Sequence, residues 1–335
     1  MFTKYFIKLS TTNIKDLKGS SFQILKYALS RDIEVYRVFS DKRILVLKKD
    51  SKQVWIDTSL TSKTNPVGMR IARNKHLSKK FLKKLGYPVA PSINMQSNDD
   101  CTQISNQAIS EIGFPLVVKP LRAAEGKGIT TNINNKDLLL NSIQSALKFD
   151  KKIMIEKHIA GDYYRITYVA DGAYAVTKNL PAYITGNNSN TIRELISIEN
   201  INNKERRGRG KLKKIKISEK TERFLASAGY TFDSILPKNI KIPLCFSGFD
   251  GGEYINVTKK AHPYFIEISK QISESLGLPI VGIDIVSQAI NIHPKLNNGV
   301  IIEINGTYPD ILFHNKPTYG EATSLIPNLI DYLFS

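Results

Sequence analysis

The sequence predicts a mixed α/β (α+β) protein. Two observations carry that prediction. Along nearly the whole chain, stretches with helical apolar periodicity alternate with short apolar runs. Two of those runs near the C-terminus, Gly282-Ile-Asp284-Ile-Val and Val300-Ile-Ile-Glu303-Ile-Asn305, set single acids between β-branched residues, as buried strands do. No internal repeat and no low-complexity linker breaks the alternation.

The elements follow in order. Residues 22–38 read as helix then strand: Ile24, Leu25, Ala28 and Leu29 share a face, and Ile33, Val35, Tyr36 and Val38 follow. Ile44-Leu-Val-Leu and Val54-Trp-Ile form a hairpin across Asp50-Ser51, and this small α/β unit ends near Pro66. Residues 69–85 read as one basic amphipathic helix stopped by Gly86 and Pro88. A short helix over 104–112 precedes the strand Phe114-Pro-Leu-Val-Val-Lys119-Pro. A glycine loop, Glu125-Gly126-Lys127-Gly128-Ile129, leads to the strand Thr130-Thr-Asn-Ile, and Asn135 or Asp137 caps a helix to Lys148. Lys152-Ile-Met-Ile-Glu156 is a strand. Tyr164–Ala170 and Ala173–Asn179 pair across the Asp171-Gly172 turn. Residues 186–220 read as a polar, basic excursion with a helix at 191–200, not as a domain. Helices at 261–276 and 321–334 flank the two acid-bearing strands.

Composition narrows the function classes. With 335 residues the chain can bury a substantial core in two or three domains. Hydrophobic content of 41% and charged content of 23% suit an ordinary soluble protein. No apolar run approaches the roughly 18 residues of a membrane span. The lysine-broken N-terminus does not read as a signal peptide, so a cytoplasmic location is expected. Cys101 and Cys245 lack metal-ligand spacing, and the five histidines are scattered, which argues against zinc. The net charge of +18 admits nucleic acid, an acidic ligand or simply a solvated lysine surface. Much of the excess is local, in Lys204-Glu-Arg206-Arg207-Gly-Arg-Gly-Lys-Leu-Lys-Lys-Ile-Lys.

Burying a carboxylate is costly unless it is paired, hydrogen-bonded or bound to a metal. Asp284, Glu303 and Asn305 could therefore form an oxygen site for a hard cation such as Mg²⁺, or could be edge acids of two core strands. Lys119 ends an apolar strand shortly before Gly126 and Gly128, and glycine lets backbone N–H groups approach phosphate oxygens. It is no Walker loop, because GxxxxGK[ST] is absent.

In that order, a strand lysine, a glycine loop, a strand ending in Glu156 and a late Asp284 with Glu303-x-Asn305, the chain resembles the ATP-grasp ligases. Within them it resembles cyanophycin synthetase and the ligase half of bifunctional glutathione synthetases. The resemblance runs over roughly residues 20–335. It is carried by Ile71-Ala-Arg-Asn-Lys75, Val117-Val-Lys119-Pro, Gly126-Lys-Gly-Ile-Thr, Ile155-Glu-Lys-His-Ile-Ala-Gly161, Thr191-Ile-Arg-Glu-Leu-Ile and Arg206-Arg207-Gly, and by His314 and the acid strands. It implies an ATP-grasp fold with a small N-terminal pre-ATP-grasp α/β domain over 1–72 and a linking helical part over 73–113. A lid over 114–156 and a C-terminal catalytic part over 157–335, with a basic insertion at 186–220, complete it.

The resemblance also implies roles. A carboxylate attacks the γ-phosphate of ATP, and an amine then attacks the acylphosphate, giving an amide, ADP and phosphate. Lys75 and Lys119 match the lysines on the ATP phosphates, and the loop with Gly126, Lys127 and Gly128 matches the phosphate cover. Glu156 with the Lys157-His158-Ile159 backbone matches the adenine hinge, and Asp162 stands one place before the family's ribose acid. Asp284, Glu303 and Asn305 match the Mg²⁺ ligands, with Mn²⁺ as a substitute. Arg165 suits a substrate or phosphate oxygen, or a salt bridge to Glu156 or Asp162. Arg206 and Arg207 are expected near substrate, or on a surface arm. Expected partners are amino-acid or peptide substrates of anionic character and a second copy in a homodimer, with neither nucleic acid nor membrane. Tyr163, Asn179, Asn256 and Leu312 depart from the family pattern, all on the substrate side. The chain has no counterpart of the second, P-loop-bearing half of cyanophycin synthetase or of the glutamate–cysteine ligase half of the glutathione enzymes, so it is expected to be neither full enzyme. A nucleotide-binding regulator that docks a partner through its basic surface is the rival reading.

Overall fold

The structure, a computed structural model, describes residues 6–335 except 12–13, 15–16, 18, 40, 123–126, 208–211 and 246–250. The N-terminal unit is an antiparallel sheet in the order β1 (Phe6–Lys8), β2 (Glu34–Val38), β3 (Ile44–Lys49), β4 (Lys52–Asp57), β5 (Leu60–Thr61), with α1 (Gly19–Leu29) on one face. Asp50, in the hairpin turn, takes the left-handed conformation that Asp tolerates. This unit does not close on itself. Its core, with Leu25, Val35 and Leu47, also holds Ile326, Leu329, Ile330 and Leu333 of the C-terminal helix. The apolar face of the first domain is thus completed by residues some 280 positions away, a pairing no local periodicity encodes.

The helix expected over 69–85 is two. Asn74 ends α2 (Pro66–Arg73), and its side chain accepts the N–H groups of His76 and Leu77 to start α3 (Lys75–Lys84). The break puts Lys75 at the first position of α3. Next come β6 (Ser92–Gln96), α4 (Cys101–Glu111), β7 (Leu116–Pro120), β8 (Thr130–Ile133), α5 (Lys136–Leu147) and β9 (Lys152–Lys157). The strands form an antiparallel sheet in the order β6-β9-β7-β8. Leu116, Val118, Ile153 and Ile155 point into a core with Ala108, Leu139 and Ile143 of α4 and α5. By strand alternation Val117, Lys119, Met154 and Glu156 face the other way.

The largest sheet runs β14 (Glu253–Asn256), β11 (Tyr174–Leu180), β10 (Asp162–Val169), β15 (Ile280–Ser287), β16 (Val300–Asn305), all antiparallel. Its back face, including Ile166, Val176, Ile283 and Ile301, packs on Phe265, Ile268 and Ile272 of α8 (Pro263–Leu276) and on Ala72 and Leu82. On the front face the register sets Asn256, Thr177, Arg165, Asp284 and Glu303 side by side across all five strands. The register slips by one residue after Asp284, so Ile302 bulges.

Between β11 and β14 lies the insertion. It is longer than the expected excursion and has a core of its own. Strands β12 (Tyr183–Thr185) and β13 (Lys241–Pro243) pair, and α6 (Ile192–Asn202) and α7 (Glu219–Ser227) pack with Ile184, Ile196, Leu225, Phe232 and Leu236. Helix α6 begins with a full capping box of Thr191 and Glu194. The short helices α9 (Pro294–Asn297) and α10 (Leu312–Asn315) precede α11 (Ile326–Phe334), which closes the N-terminal core. Among the described residues no helix is long and apolar enough to cross a membrane.

Candidate active site

Two strand faces supply the candidate site: the Lys119–Glu156 face of the four-stranded sheet and the polar row of the large sheet. Helix α3 lies against both. Its Lys75 ammonium is 3.2 Å from Glu303, and its Lys79 ammonium is 2.5 Å from Glu156. Lys119, almost fully buried, holds the other Glu156 oxygen at 2.5 Å. Burial pushes the Glu156 carboxyl up, but the ammonium groups of Lys119 and Lys79 outweigh it and hold the acid below its ordinary range.

Arg165 and Asp284 are directly opposite on β10 and β15 and form a buried bidentate pair. Arg165 Nε donates to Oδ1, and Nη2 donates to Oδ2 at 2.9 Å. Asn305 Nδ2 donates to the same Oδ2 at 3.0 Å. Gly282 makes room for this pair, because a Cβ there would come within 3.2 Å of Arg165 Nη1 and 3.3 Å of Asn305 Cβ. Burial opposes the charge of Arg165, yet Asp284 more than restores it and the guanidinium stays charged. Tyr163, two residues before Arg165, shares the strand face of the pair and feels both of its charges. Burial first and the Asp284 charge second raise its phenol well above 10. Next to the row, on the same face, buried His314 meets the Thr167 hydroxyl at 2.7 Å. Burial, with Arg165 nearby, lowers it to about 3, so it is neutral.

The acids expected to hold a metal are therefore together: Asp284 and Glu303 are cross-strand partners, and Asn305 follows on the same face. The donor set fits a hard cation, since turning the Asn305 amide presents a third oxygen. Among the described residues no group of three His, Cys, Asp or Glu converges, so that amide is needed to complete three protein donors.

Other expected residues are placed differently. The Glu156 carboxylate is held between two lysines instead of projecting from the hinge. Lys157 donates to the carbonyls of Gly113 and Phe114 at 3.2 and 2.6 Å, tying the hinge to the start of β7. The N–H groups of Lys157 and His158 bond to the Pro91 and Pro115 carbonyls, so within the hinge triplet only that of Ile159 lies outside these pairings. Asp162 is half-buried and paired with Lys178 at 2.6 Å. Arg165, expected to meet a substrate or phosphate oxygen or else to bridge Glu156 or Asp162, forms its salt bridge with Asp284.

Gly126 lies outside the described residues. Lys127 is exposed, and Gly128 has a positive φ of 70° with Phe149 and Pro120 where a Cβ would be. Arg206 is buried inside the insertion, its fork taken by Glu199 at 2.9 Å and by the carbonyls of Lys213 and Gly251 at 2.7 and 2.6 Å. A guanidinium so occupied holds the insertion together. Arg207 beside it is exposed. Sequence reasoning missed Lys79 and Tyr163 as site residues. Lys79 sits one helical turn after Lys75, a spacing that puts both on one face of α3.

These features define an ATP-grasp fold: a four-stranded sheet bearing a lysine on one face, and a second sheet whose polar row ends in acids. Residues 81–187 match the family model described as D-ala D-ala ligase C-terminus. The chain is 30% identical over 307 residues to the cyanophycin synthetase of Synechocystis sp., covering 89% of this chain and 34% of that one. It is 28% identical over 286 residues to the glutathione biosynthesis bifunctional protein GshAB of Pasteurella multocida, covering 82% of this chain and 37% of that one. The chain thus spans about a third of the length of the curated relatives it matches. Its fold is similar to the crystal structure of a bifunctional glutathione synthetase from Pasteurella multocida, with a TM-score of 0.66 and 24% identity over 96% of this chain and 44% of that chain.

Proposed function

We propose that the protein is an ATP- and Mg²⁺-dependent ligase that joins an amino-acid or peptide carboxylate to an amine, releasing ADP and phosphate. One observation carries the reading. Three acids expected at the site are already matched to cations of the site: Glu303 to Lys75, Asp284 to Arg165, and Glu156 to Lys119. Such pairs separate when a polyanion and a divalent cation enter together, the lysines turning to phosphate and the acids to metal.

In this reading Asp284, Glu303 and the amide oxygen of Asn305 hold Mg²⁺, which neutralises charge on the phosphates. Lys75 and Lys119 meet the phosphate oxygens. Arg165 offers its planar fork to the attacking carboxylate or to the transferred phosphoryl group. The carboxylate oxygen attacks the γ-phosphorus and ADP leaves. The amine nitrogen then attacks the acyl carbon, phosphate leaves, and the amine proton passes to water or phosphate. No protein base is required. Exposed Lys204, Arg207, Lys213 and Lys214 of the insertion favour an anionic substrate, such as a γ-glutamyl or other acidic peptide.

The test is phosphate release from MgATP across amino acids, dipeptides and γ-glutamyl peptides, with mass spectrometry of products. The expected result is a product whose mass is the sum of two substrates minus water, lost in Lys119→Met. Nucleotide binding without turnover on any pair would instead support a regulator.

A further inference from the structure

The proposed chemistry gives Lys79 no task, yet its placement is unusual. Its side chain is 11% exposed, and its ammonium lies 2.5 Å from Glu156 Oε2 and 3.7 Å from Met154 Sδ. Lys119, from a strand in another part of the chain, lies 2.5 Å from Glu156 Oε1. One buried carboxylate thus serves two buried ammonium groups. A single lysine would neutralise Glu156, and the second adds a net positive charge in a place where charge is costly. Burial lowers Lys79, Glu156 opposes this, and the Lys119 charge lowers it further.

We propose that Lys79 is a positioning residue that keeps the Glu156 carboxylate neutralised while Lys119 passes from Glu156 to the phosphates of a bound nucleotide. Without Lys79, that transfer strips a buried acid of its only cation, so Glu156 retains Lys119 and competes with the nucleotide for it. With Lys79, Glu156 keeps a partner in both states, and Lys119 is released at low cost. The inference rests on the reading that Lys119 meets nucleotide phosphate.

The experiment is equilibrium binding of MgADP and of a non-hydrolysable MgATP analogue to the full chain by calorimetry, with thermal unfolding of each variant. Lys79→Met is expected to weaken nucleotide binding tenfold or more. Lys79→Arg stays within a few-fold of the parent. Lys79→Met combined with Glu156→Gln recovers to the affinity of Glu156→Gln alone, because a neutral amide no longer captures Lys119. A merely structural pin gives no such recovery. Should Lys79→Met alone fail to fold, the double variant, in which Lys119 keeps the amide oxygen at position 156 as its acceptor and no carboxylate competes for it, carries the comparison against Glu156→Gln. Unchanged affinity in a folded Lys79→Met, or a double variant as weak as Lys79→Met, overturns the inference. A parent chain that binds no nucleotide, or a Lys119→Met variant that binds as the parent does, overturns the underlying reading first and this inference with it.

Discussion

The cleft and the insertion are both basic, and they use their charge in opposite ways. In the cleft, Lys75, Lys79, Lys119 and Arg165 are largely removed from water, and each lies against a carboxylate. In the insertion, Lys204, Arg207, Lys213, Lys214 and Lys216 face solvent, and among the described residues only Arg206 turns inward. A buried ion pair is worth little as a stabiliser but costs much when one member is lost. An exposed cation acts at a distance and is screened by salt. The cleft is therefore a place of fixed partners and the insertion a place of long-range attraction, and substitutions in the two should be distinguishable.

The largest effect belongs to the acid row. Glu303→Gln or Asp284→Asn should lower turnover on the order of a thousandfold, by removing preorganised charge from the reacting phosphates. Phosphate release under saturating MgATP measures it, and a change below tenfold would move the chemistry away from this row.

Next is Arg206, among the described insertion cations the one paired and buried like a site residue. Arg206→Ala takes the donor from two carbonyls and leaves Glu199 with only the Asn203 amide, at a cost of about 3 kcal/mol. Hydrogen exchange should show the loss in α6 and the segments around it, with the four-stranded sheet still protected. Loss of catalysis with the insertion intact would instead give Arg206 a place at the substrate.

His314 gives a smaller, pH-dependent effect. In the unfolded chain it takes up a proton near 6.5, but in the fold only near 3. The unfolded state binds more protons across that window, so stability falls as pH drops from about 6.5, by up to about 1.4 kcal/mol per unit. Glu156, held below its ordinary value of 4.5, adds a loss of the same sign as pH falls through the carboxylate range. Denaturant unfolding at pH 7 and pH 5 should show the slope, and His314→Gln should flatten it.

The smallest effect is at the insertion surface. Lys204→Glu with Arg207→Glu should raise KM for an acidic substrate only a few-fold, vanishing at high salt, with kcat unchanged. A salt-independent loss of kcat would place Arg207 in direct contact with the reacting groups.

The contrast also explains what the sequence disclosed. Asp284 and Glu303 stood out because single acids inside β-branched runs are rare and need a reason, whereas Glu156 emerged only through the resemblance. The strands that carry them emerged because fully buried strands read as near-continuous apolar runs. Their pairing did not emerge. Arg165 and Asp284 are 119 positions apart, and only the β10–β15 register makes them neighbours. Lys79 was hidden among the lysines of α3, where an inward and an outward lysine look alike. The insertion core was missed for a related reason. Leu225, Phe232, Leu236 and Leu244 are spaced irregularly among polar and turn residues, so no helical or strand period marks them. Asn74 was a legible cap in type, but a cap inside an uninterrupted amphipathic pattern is easily read through.

The central claim is that this cleft activates a carboxylate through phosphate. The most direct measurement uses a substrate pair found in the panel, with the carboxylate labelled in ¹⁸O, and reads the label in the released phosphate. One labelled oxygen per phosphate is the predicted result, because the acylphosphate keeps a carboxylate oxygen when the amine displaces it. Unlabelled phosphate, formed at the same rate with or without the amine, would contradict it.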